Sequence, residues 1–211
     1  MLSSTMINNE KFFIEAFKNQ KINEERVALL KQIAAKISTE YIHKKKVNLN
    51  FICTHNSRRS QFGQVWSFFA AHYFKLPFIH AFSGGTEVTA FHQNTVKALQ
   101  KTGFIFSLKE ISHQNPIYNI SFEGCKQSLI GFSKIYDDVH NDESFIALTT
   151  CDNADNHCPI IHKSIGRFHL PFKDPKTSDN TEKQAPTYLN TSAEIAATIY
   201  FIFSEVKKRI H

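Results

Sequence analysis

Cysteine, proline, glycine and tryptophan are all scarce in this chain: four, six, seven and one, respectively, in 211 residues. Four cysteines are too few for a disulfide scaffold. So little glycine and proline excludes a collagen-like or Pro-rich linker protein. The longest strongly apolar run, Ile195 to Phe203, is nine residues, far short of the ~20 that span a bilayer. The opening Met-Leu-Ser-Ser-Thr-Met-Ile-Asn-Asn-Glu has no basic start followed by an apolar stretch, so no export signal is expected. The thiols are then expected to stay reduced in a cytoplasm, with no membrane partner. There is no internal repeat and no low-complexity segment.

Apolar residues make up 42% and charged residues 21%, the balance of a soluble globular chain with enough length to bury one core. The formal charge is +6. Part of the excess sits in two clusters, His43-Lys44-Lys45-Lys46 and Lys207-Lys208-Arg209. Both read as solvated helix ends, where cations favour the C-terminal dipole. No nucleic-acid motif accompanies them, so no nucleic-acid partner is expected. A basic surface also suits an oxyanion.

Residues 1 to 9 read as a loose tail and 10 to about 43 as helix. Asn23 is an N-cap candidate before Glu24-Glu25. Val27, Leu30, Ile33, Ile37 and Tyr41 recur at helical spacing. Val47 to Ile52 reads as a strand, running into Cys53 to Ser60 and then a helix with Phe62, Trp66, Phe69 and Ala70. A second strand is expected over 77 to 83 and a helix over Thr95 to Thr102. Residues 117 to 137 suggest a peripheral hairpin. Phe145 to Thr150 has the continuous apolar character of a buried parallel strand, and Arg167 to Phe172 is a further strand candidate. A final helix carries Ile195, Ile199, Ile202, Phe203, Val206 and Ile210. This alternation predicts an α/β domain with a mainly parallel sheet and helices on both faces. Loops at the carboxyl ends of such strands carry the chemistry, and Cys53 and Cys151 fall at two of them.

Cys53 and Arg59 stand six residues apart, as Cys-x5-Arg followed by Ser60. A short strand-to-helix loop can aim successive backbone N–H groups at one point, making a nest for a tetrahedral oxyanion. Thr54, His55, Asn56, Ser57, Arg58, Arg59 and Ser60 are the residues that would form it. Positive potential from the nest and Arg59 favours a thiolate at Cys53. Arg59 can grip two oxygens with its planar fork. Ser60 can donate to the thiolate. Asn56 can bond across the loop and tolerates left-handed backbone angles. The competing reading is a buried core thiol followed by a polar helix start.

Phe51-Ile52-Cys53-Thr54-His55-Asn56-Ser57-Arg58-Arg59-Ser60-Gln61 resembles the anion loop of the low-molecular-weight protein-tyrosine-phosphatase superfamily, which includes the thioredoxin-coupled arsenate reductases. The resemblance extends over roughly residues 46 to 210. Asp174-Pro175 stands before the last helix, where the family keeps its general acid. Cys151-Asp152-Asn153-Ala154-Asp155-Asn156-His157-Cys158-Pro159 is similar to the redox segment of arsenate reductases, with cysteines seven residues apart. A metal site using His157 or His162 competes for this pair, but zinc ligand pairs usually sit two to four residues apart, and no metal is expected.

The resemblance implies a four-stranded, mainly parallel sheet with helices on both faces, an N-terminal helical extension over 1–45 and a phosphatase-like domain over 46–211. It implies an arsenate reductase. Cys53 is then the nucleophile, Arg59 the oxyanion ligand and Asp174 the acid, with Cys151 and Cys158 completing a disulfide relay. No tightly bound cofactor is implied, and thioredoxin is the expected electron donor. Two alternatives stand beside it. One is a phosphatase using Cys53, Arg59 and Asp174 on phosphomonoesters. The other is an oxyanion- or redox-sensing module without turnover. Lys176-Thr177-Ser178-Asp179 replaces the aromatic residues that usually follow the Asp-Pro of the tyrosine phosphatases. His55 stands where the family usually has Gly and would adopt a left-handed backbone at some cost. Arg58 replaces a small or sulfur-containing residue, and Gln64 falls about where some reductases have a potassium-binding Glu. Cys125 matches no motif.

Overall fold

In a computed structural model, residues 4–157 and 160–210 are described. The chain begins with two helices, α1 (Ser4–Asn19) and α2 (Glu24–Lys44). Asn23 caps α2, its side-chain oxygen accepting from the Arg26 amide at 2.8 Å. The tail expected over 1–9 is therefore helical from Ser4. Its helix is held by aromatic packing that the N-terminal residues themselves do not reveal. Phe13 is fully buried and stacks on Trp66 at 5.6 Å, while Phe17 stacks on Tyr200 at 4.3 Å.

Next come β1 (Val47–Cys53), α3 (Arg59–Tyr73), β2 (Ile79–Gly85) and α4 (Gln93–Lys101). Then follow β3 (Ile105–Glu110), β4 (Ile117–Ser121), β5 (Leu129–Gly131) and β6 (Phe145–Thr149). The six-residue α5 (Asp152–His157), β7 (Ser164–His169) and the long α6 (Gln184–Ile210) complete the described chain. The main sheet has four strands in the order β2-β1-β6-β7, and every neighbouring pair is parallel. This is the architecture that the resemblance implies. Central β1 is buried along its whole length. The side-chain amides of its two asparagines donate to carbonyls, Asn48 to Glu143 O at 2.9 Å and Asn50 to Tyr136 O at 2.8 Å.

The core lies between the sheet and the helices. Trp66, Phe62 and Phe69 of α3, Leu30 and Ile33 of α2, and Ile195 and Phe203 of α6 are all completely buried. Helices α1 and α2 both pack on α6.

The peripheral hairpin is instead a three-stranded antiparallel sheet, β3-β4-β5. Strand β3 is largely exposed, so no buried stripe marks it in the sequence. The expected second arm over 132–136 is not a strand of that sheet. It turns under the Cys53 loop, where Gly85 N donates to Lys134 O at 2.8 Å and Tyr136 N to Gly85 O at 3.0 Å. Gly85 has to be glycine there: a Cβ would come 2.7 Å from Thr54 O and 2.8 Å from Asn56 N. No described helix is long and apolar enough to cross a membrane.

Candidate active site

The loop between β1 and α3 is shaped by where its carbonyls go. The Cys53 carbonyl accepts from Thr86 N at 3.2 Å and Thr54 O from Glu87 N at 2.8 Å. His55 O accepts from the hydroxyls of Ser133 at 2.9 Å and Thr89 at 3.0 Å. Asn56 O accepts from Gln61 Nε2 at 3.0 Å, and Ser57 O from His92 N at 3.1 Å. Five successive carbonyls are thus tied to partners outside the 53–58 turn. In a planar trans peptide the N–H points opposite the C=O. The amides of residues 54 to 58 therefore point away from those partners, as an anion nest requires.

Only one non-glycine residue of the turn has a positive φ: Asn56, at 46°. The left-handed position expected at His55 lies one residue later, on the residue type best able to hold it. His55 keeps a negative φ, so glycine is not required there, and its ring lies 3.3 Å from Glu87. Asn56 is fully buried. Its Oδ1 accepts from Lys134 N at 3.0 Å and from Gln61 Nε2 at 3.2 Å, and its Nδ2 donates to Ser60 Oγ at 2.8 Å.

That last bond sets a direction. Ser60 Oγ already accepts from Asn56, so its own proton is free for the Cys53 sulfur, 3.0 Å away. Cys53 is 3% exposed, so burial is present, as the core-thiol reading requires. Its polar partners and the turned amides are what an apolar thiol pocket would lack.

Arg59 opens α3 and reaches across to the segment after β7. Its Nη2 donates to Asp174 Oδ2 at 2.6 Å and its Nη1 to Phe172 O at 3.2 Å. Asp174 Oδ1 accepts from Lys176 N at 3.0 Å, as Pro175 starts a 3-10 turn over Pro175–Ser178. Proline fixes the direction of the chain just beyond the acid. Asp174 therefore stands beside the Arg59 guanidinium.

Arg58 turns the other way. Its Nη2 donates to Asp179 Oδ2 at 2.8 Å and its Nε to the Tyr188 hydroxyl at 2.6 Å. Tyr188 in turn donates to Asp179 Oδ1 at 2.7 Å. Burial alone would raise the Asp179 carboxyl. The Tyr188 hydroxyl and the Arg58 guanidinium outweigh it and hold the group below the ordinary carboxylate range. Burial and the hydrogen bond to Asp179 push Tyr188 up to about 12. His92, stacked on Tyr188 at 5.8 Å, is lowered by burial and then by the Arg58 charge.

A third arginine comes from α2. Arg26 Nη1 donates to Pro171 O at 3.1 Å, and its guanidinium lies 4.8 Å above the Phe172 ring. The acid segment 171–179 is thus held by Arg26, Arg59 and Arg58 together. Sequence reasoning missed Arg26, Asp179 and Tyr188 as site residues, because the contacts that tie them to the site, Arg26 to Pro171 and Arg58 to Asp179 and Tyr188, span more than a hundred positions. A cavity of about 870 Å³ opens beside Asp174, with no aromatic residue among its described walls.

Cys151 follows β6, the neighbour of β1, and is 5% exposed. Its sulfur lies 3.6 Å from Thr54 Oγ1, the residue next to Cys53. Asn153 Nδ2 donates to the same Thr54 hydroxyl at 3.0 Å, and Ala154 N approaches the Cys151 sulfur at 3.5 Å. Helix α5 is fastened to the sheet through Asp155, which accepts from Thr149 Oγ1 and Arg167 Nη2, both at 2.7 Å. Burial would raise the Asp155 carboxyl, but these donors keep it low. The structure thus pairs Cys53 with Ser60 and Arg59 with Asp174, and sets Cys151 beside Thr54. Cys158 lies outside the described residues. Among the described residues no group of three His, Cys, Asp or Glu side chains is arranged to hold a metal ion. Gln64 is buried and fully engaged, accepting from Ser83 Oγ at 2.6 Å and donating to Ala81 O at 3.2 Å.

No family model matches the chain. Among known proteins, it is 28% identical over 152 residues to arsenate reductase 1 of Staphylococcus epidermidis, covering 66% of this chain and 86% of that protein. It is 27% identical over 154 residues to the arsenate reductase of Brevibacillus brevis, covering 73% of this chain and 92% of that protein. A solved low-molecular-weight phosphotyrosine phosphatase from Vibrio cholerae O395 superposes with a TM-score of 0.48 at 13% identity, over 75% of this chain and 95% of its own. The two sequence relatives are both arsenate reductases, and they bear out the likeness to that group read from the sequence.

Proposed function

We propose that this chain reduces arsenate to arsenite. The observation that carries the reading is the Cys53 sulfur under the Ser60 hydroxyl, in a turn whose amides face one way, with Cys151 beside Thr54. Phosphate hydrolysis has no use for a second thiol at the rim.

Arsenate, a tetrahedral oxyanion, is held by the amides of residues 54 to 58 and by Arg59. The Cys53 thiolate attacks arsenic while Asp174 protonates the departing hydroxyl, which leaves as water. A sulfur–arsenic bond has formed and an arsenic–oxygen bond has broken. Cys151 thiolate then attacks the Cys53 sulfur. The sulfur–arsenic bond breaks, and its electron pair stays on arsenic. Arsenic(V) becomes arsenic(III), arsenite leaves, and the two sulfurs are oxidised to a Cys53–Cys151 disulfide. Cys158 thiolate attacks Cys151, frees Cys53 as thiolate and leaves a Cys151–Cys158 disulfide. An external dithiol reduces that bond. Thioredoxin is the donor that this reading assigns, and a relay that starts from thiolates suits a reducing compartment such as the cytoplasm.

The second reading, phosphomonoester hydrolysis, rests on the same Cys53, Arg59 and Asp174 geometry. Lys176-Thr177-Ser178-Asp179 follows the Asp-Pro in place of the aromatic residues usual in the tyrosine phosphatases, which speaks against a phosphotyrosine ring. Arsenite production with thioredoxin, thioredoxin reductase and NADPH, measured beside hydrolysis of an aryl phosphate, separates the two. Cys151→Ser is expected to lose arsenite production and to keep a slow aryl phosphatase activity, while Cys53→Ser loses both. Unchanged arsenite production in Cys151→Ser, or equal loss of both activities, would overturn the relay.

A further inference from the structure

Strand β2 ends the main sheet, and its ladder with β1 fixes which of its peptide groups face outward. Phe78 O accepts from Val47 N at 2.8 Å, and at the other end Thr86 N donates to Cys53 O at 3.2 Å. Parallel pairing uses alternate residues, so the even-numbered ones serve β1, while Ile79, Ala81, Ser83 and Gly85 turn their N–H and C=O to the free edge. Ile79 N donates to Leu76 O at 3.1 Å, Ala81 O accepts from Gln64 Nε2 at 3.2 Å, and Ser83 O accepts from Asn141 Nδ2 at 3.1 Å. Ile79 O and Ala81 N have no partner among the described residues.

At Gly85 the position beyond β2 is filled by the chain itself, since residues 134–136 run parallel to the strand there. Before that point the chain stands apart from β2, in β5. Gln64 Nε2 spans the split, donating to Ala81 O and, at 3.5 Å, to Ile130 O. A cavity of about 1010 Å³ opens here, lined by Ile79, His80, Ala81 and Phe82 in succession. Successive strand residues point to opposite faces, so a cavity that meets four in a row lies along the edge and not against one face. Phe68, Leu129 and Ile130 add apolar walls, and Lys75, Lys126, His72 and His140 also line it. No aspartate or glutamate does so among the described residues.

We propose that an extended acidic segment of a partner protein docks in this cavity as an added strand, parallel to β2. In a parallel ladder one peptide residue serves both open groups. Its N–H donates to Ile79 O and its C=O accepts from Ala81 N, as Lys134 O accepts from Gly85 N at 2.8 Å further along the same edge. Main-chain bonds of this kind supply affinity, and the side chains beside them supply selectivity. Here the basic lining, without a described carboxylate, selects acidic residues. The formal charge of +6 argues against a second copy of this chain as the occupant. Cys53 and Arg59 do not line the cavity, so the proposal is independent of the activity assigned above.

The probe is the fluorescein-labelled peptide Glu-Val-Glu-Val-Glu-Val-Glu, titrated with the full chain and read by anisotropy, beside its counterpart with lysine for every glutamate. The acidic peptide is expected to bind about tenfold more tightly or better. In the double variant Lys75→Glu, Lys126→Glu the preference is expected to reverse. N-methylation tests the pairing, because only alternate residues of an added strand turn their N–H to β2. Methylating all the valines, or all the glutamates, is expected to abolish binding in one case and to spare it in the other. Amide exchange followed by NMR locates the site: the Ala81 amide is expected to slow when the peptide is bound. Equal binding of the two peptides, equal loss in the two methylated sets, or an unchanged preference in the double variant would overturn the proposal. So would protection of the amides of residues 54 to 58 in place of Ala81. A dimer of the free chain, seen by sedimentation, in which Ala81 is already protected would assign the edge to a second copy and refute the partner segment.

Discussion

Asn56 gives the sharpest test of how the anion nest is built, because its backbone and its side chain can be perturbed separately. Alanine at 56 removes the acceptor of Lys134 N, an internal amide 3.0 Å from Asn56 Oδ1. Leaving such a group unpaired costs about 1–3 kcal/mol. Alanine also has to hold the left-handed backbone that Asn56 adopts at φ 46°, which costs about 1–2 kcal/mol. The expected destabilisation of Asn56→Ala is therefore about 2–5 kcal/mol. Glycine removes the same side chain but relieves the backbone, so Asn56→Gly should lose only about 1–3 kcal/mol. With a urea slope of about 2 kcal/mol per molar, the two midpoints should differ by roughly 0.5–1 M. Both variants lose the donor that orients Ser60, so both should lose turnover alike, by about 10-fold or more, the value of one charge-assisted hydrogen bond. Urea unfolding and steady-state turnover of the pair measure both effects. Equal midpoints, or full turnover in either variant, would refute this account of the turn.

Lys134→Met is expected to stabilise the chain at neutral pH. Burial lowers the Lys134 ammonium to about 8, so between about pH 8 and the ordinary lysine value near 10.5 the unfolded chain binds more protons. Native stability should rise with pH across that window by a few kcal/mol, and urea midpoints of the variant should not show the rise. Asp179→Asn is expected to lose about 1.5–3 kcal/mol at pH 7. The native contribution of the lowered Asp179 carboxyl is complete above the unfolded value near 4 and disappears as pH falls through its folded value, so the gap between native chain and variant should close in acid. Arg26→Met is expected to lower turnover more with poor leaving groups than with good ones, since it loosens the segment that carries the acid. A uniform loss across a series of aryl phosphates would count against that role.

Much of the fold is legible because its central strands are buried on both sides. Val47 to Ile52 and Phe145 to Thr149 are near-continuous in their burial, and such runs have few other uses. The nest is legible for a different reason: Cys53, Asn56, Arg59 and Ser60 lie within eight residues and carry their chemistry locally. What escaped reading is non-local. The partner of Arg58 is 121 positions away and that of Arg26 is 145 away, and neither Asp179 nor Pro171 is distinctive in its own neighbourhood. Strand β3 escaped because most of it faces water, and the start of α1 because its anchors are aromatic rings on α3 and α6. The His55 expectation failed by one position, since the turn puts its strained residue on Asn56 and leaves His55 in an ordinary conformation.

The three-arginine hold on the acid segment has a consequence for synthesis. Arg26 and Arg59 leave the ribosome early, whereas Asp174, Asp179 and Tyr188 emerge more than a hundred residues later. A nascent chain carrying Cys53 has neither its proton donor nor the pairs that place it until residues 171–188 are out. Closing contacts of that span is slow. Competence therefore waits on the synthesis of the acid segment, long after the nucleophile has been made.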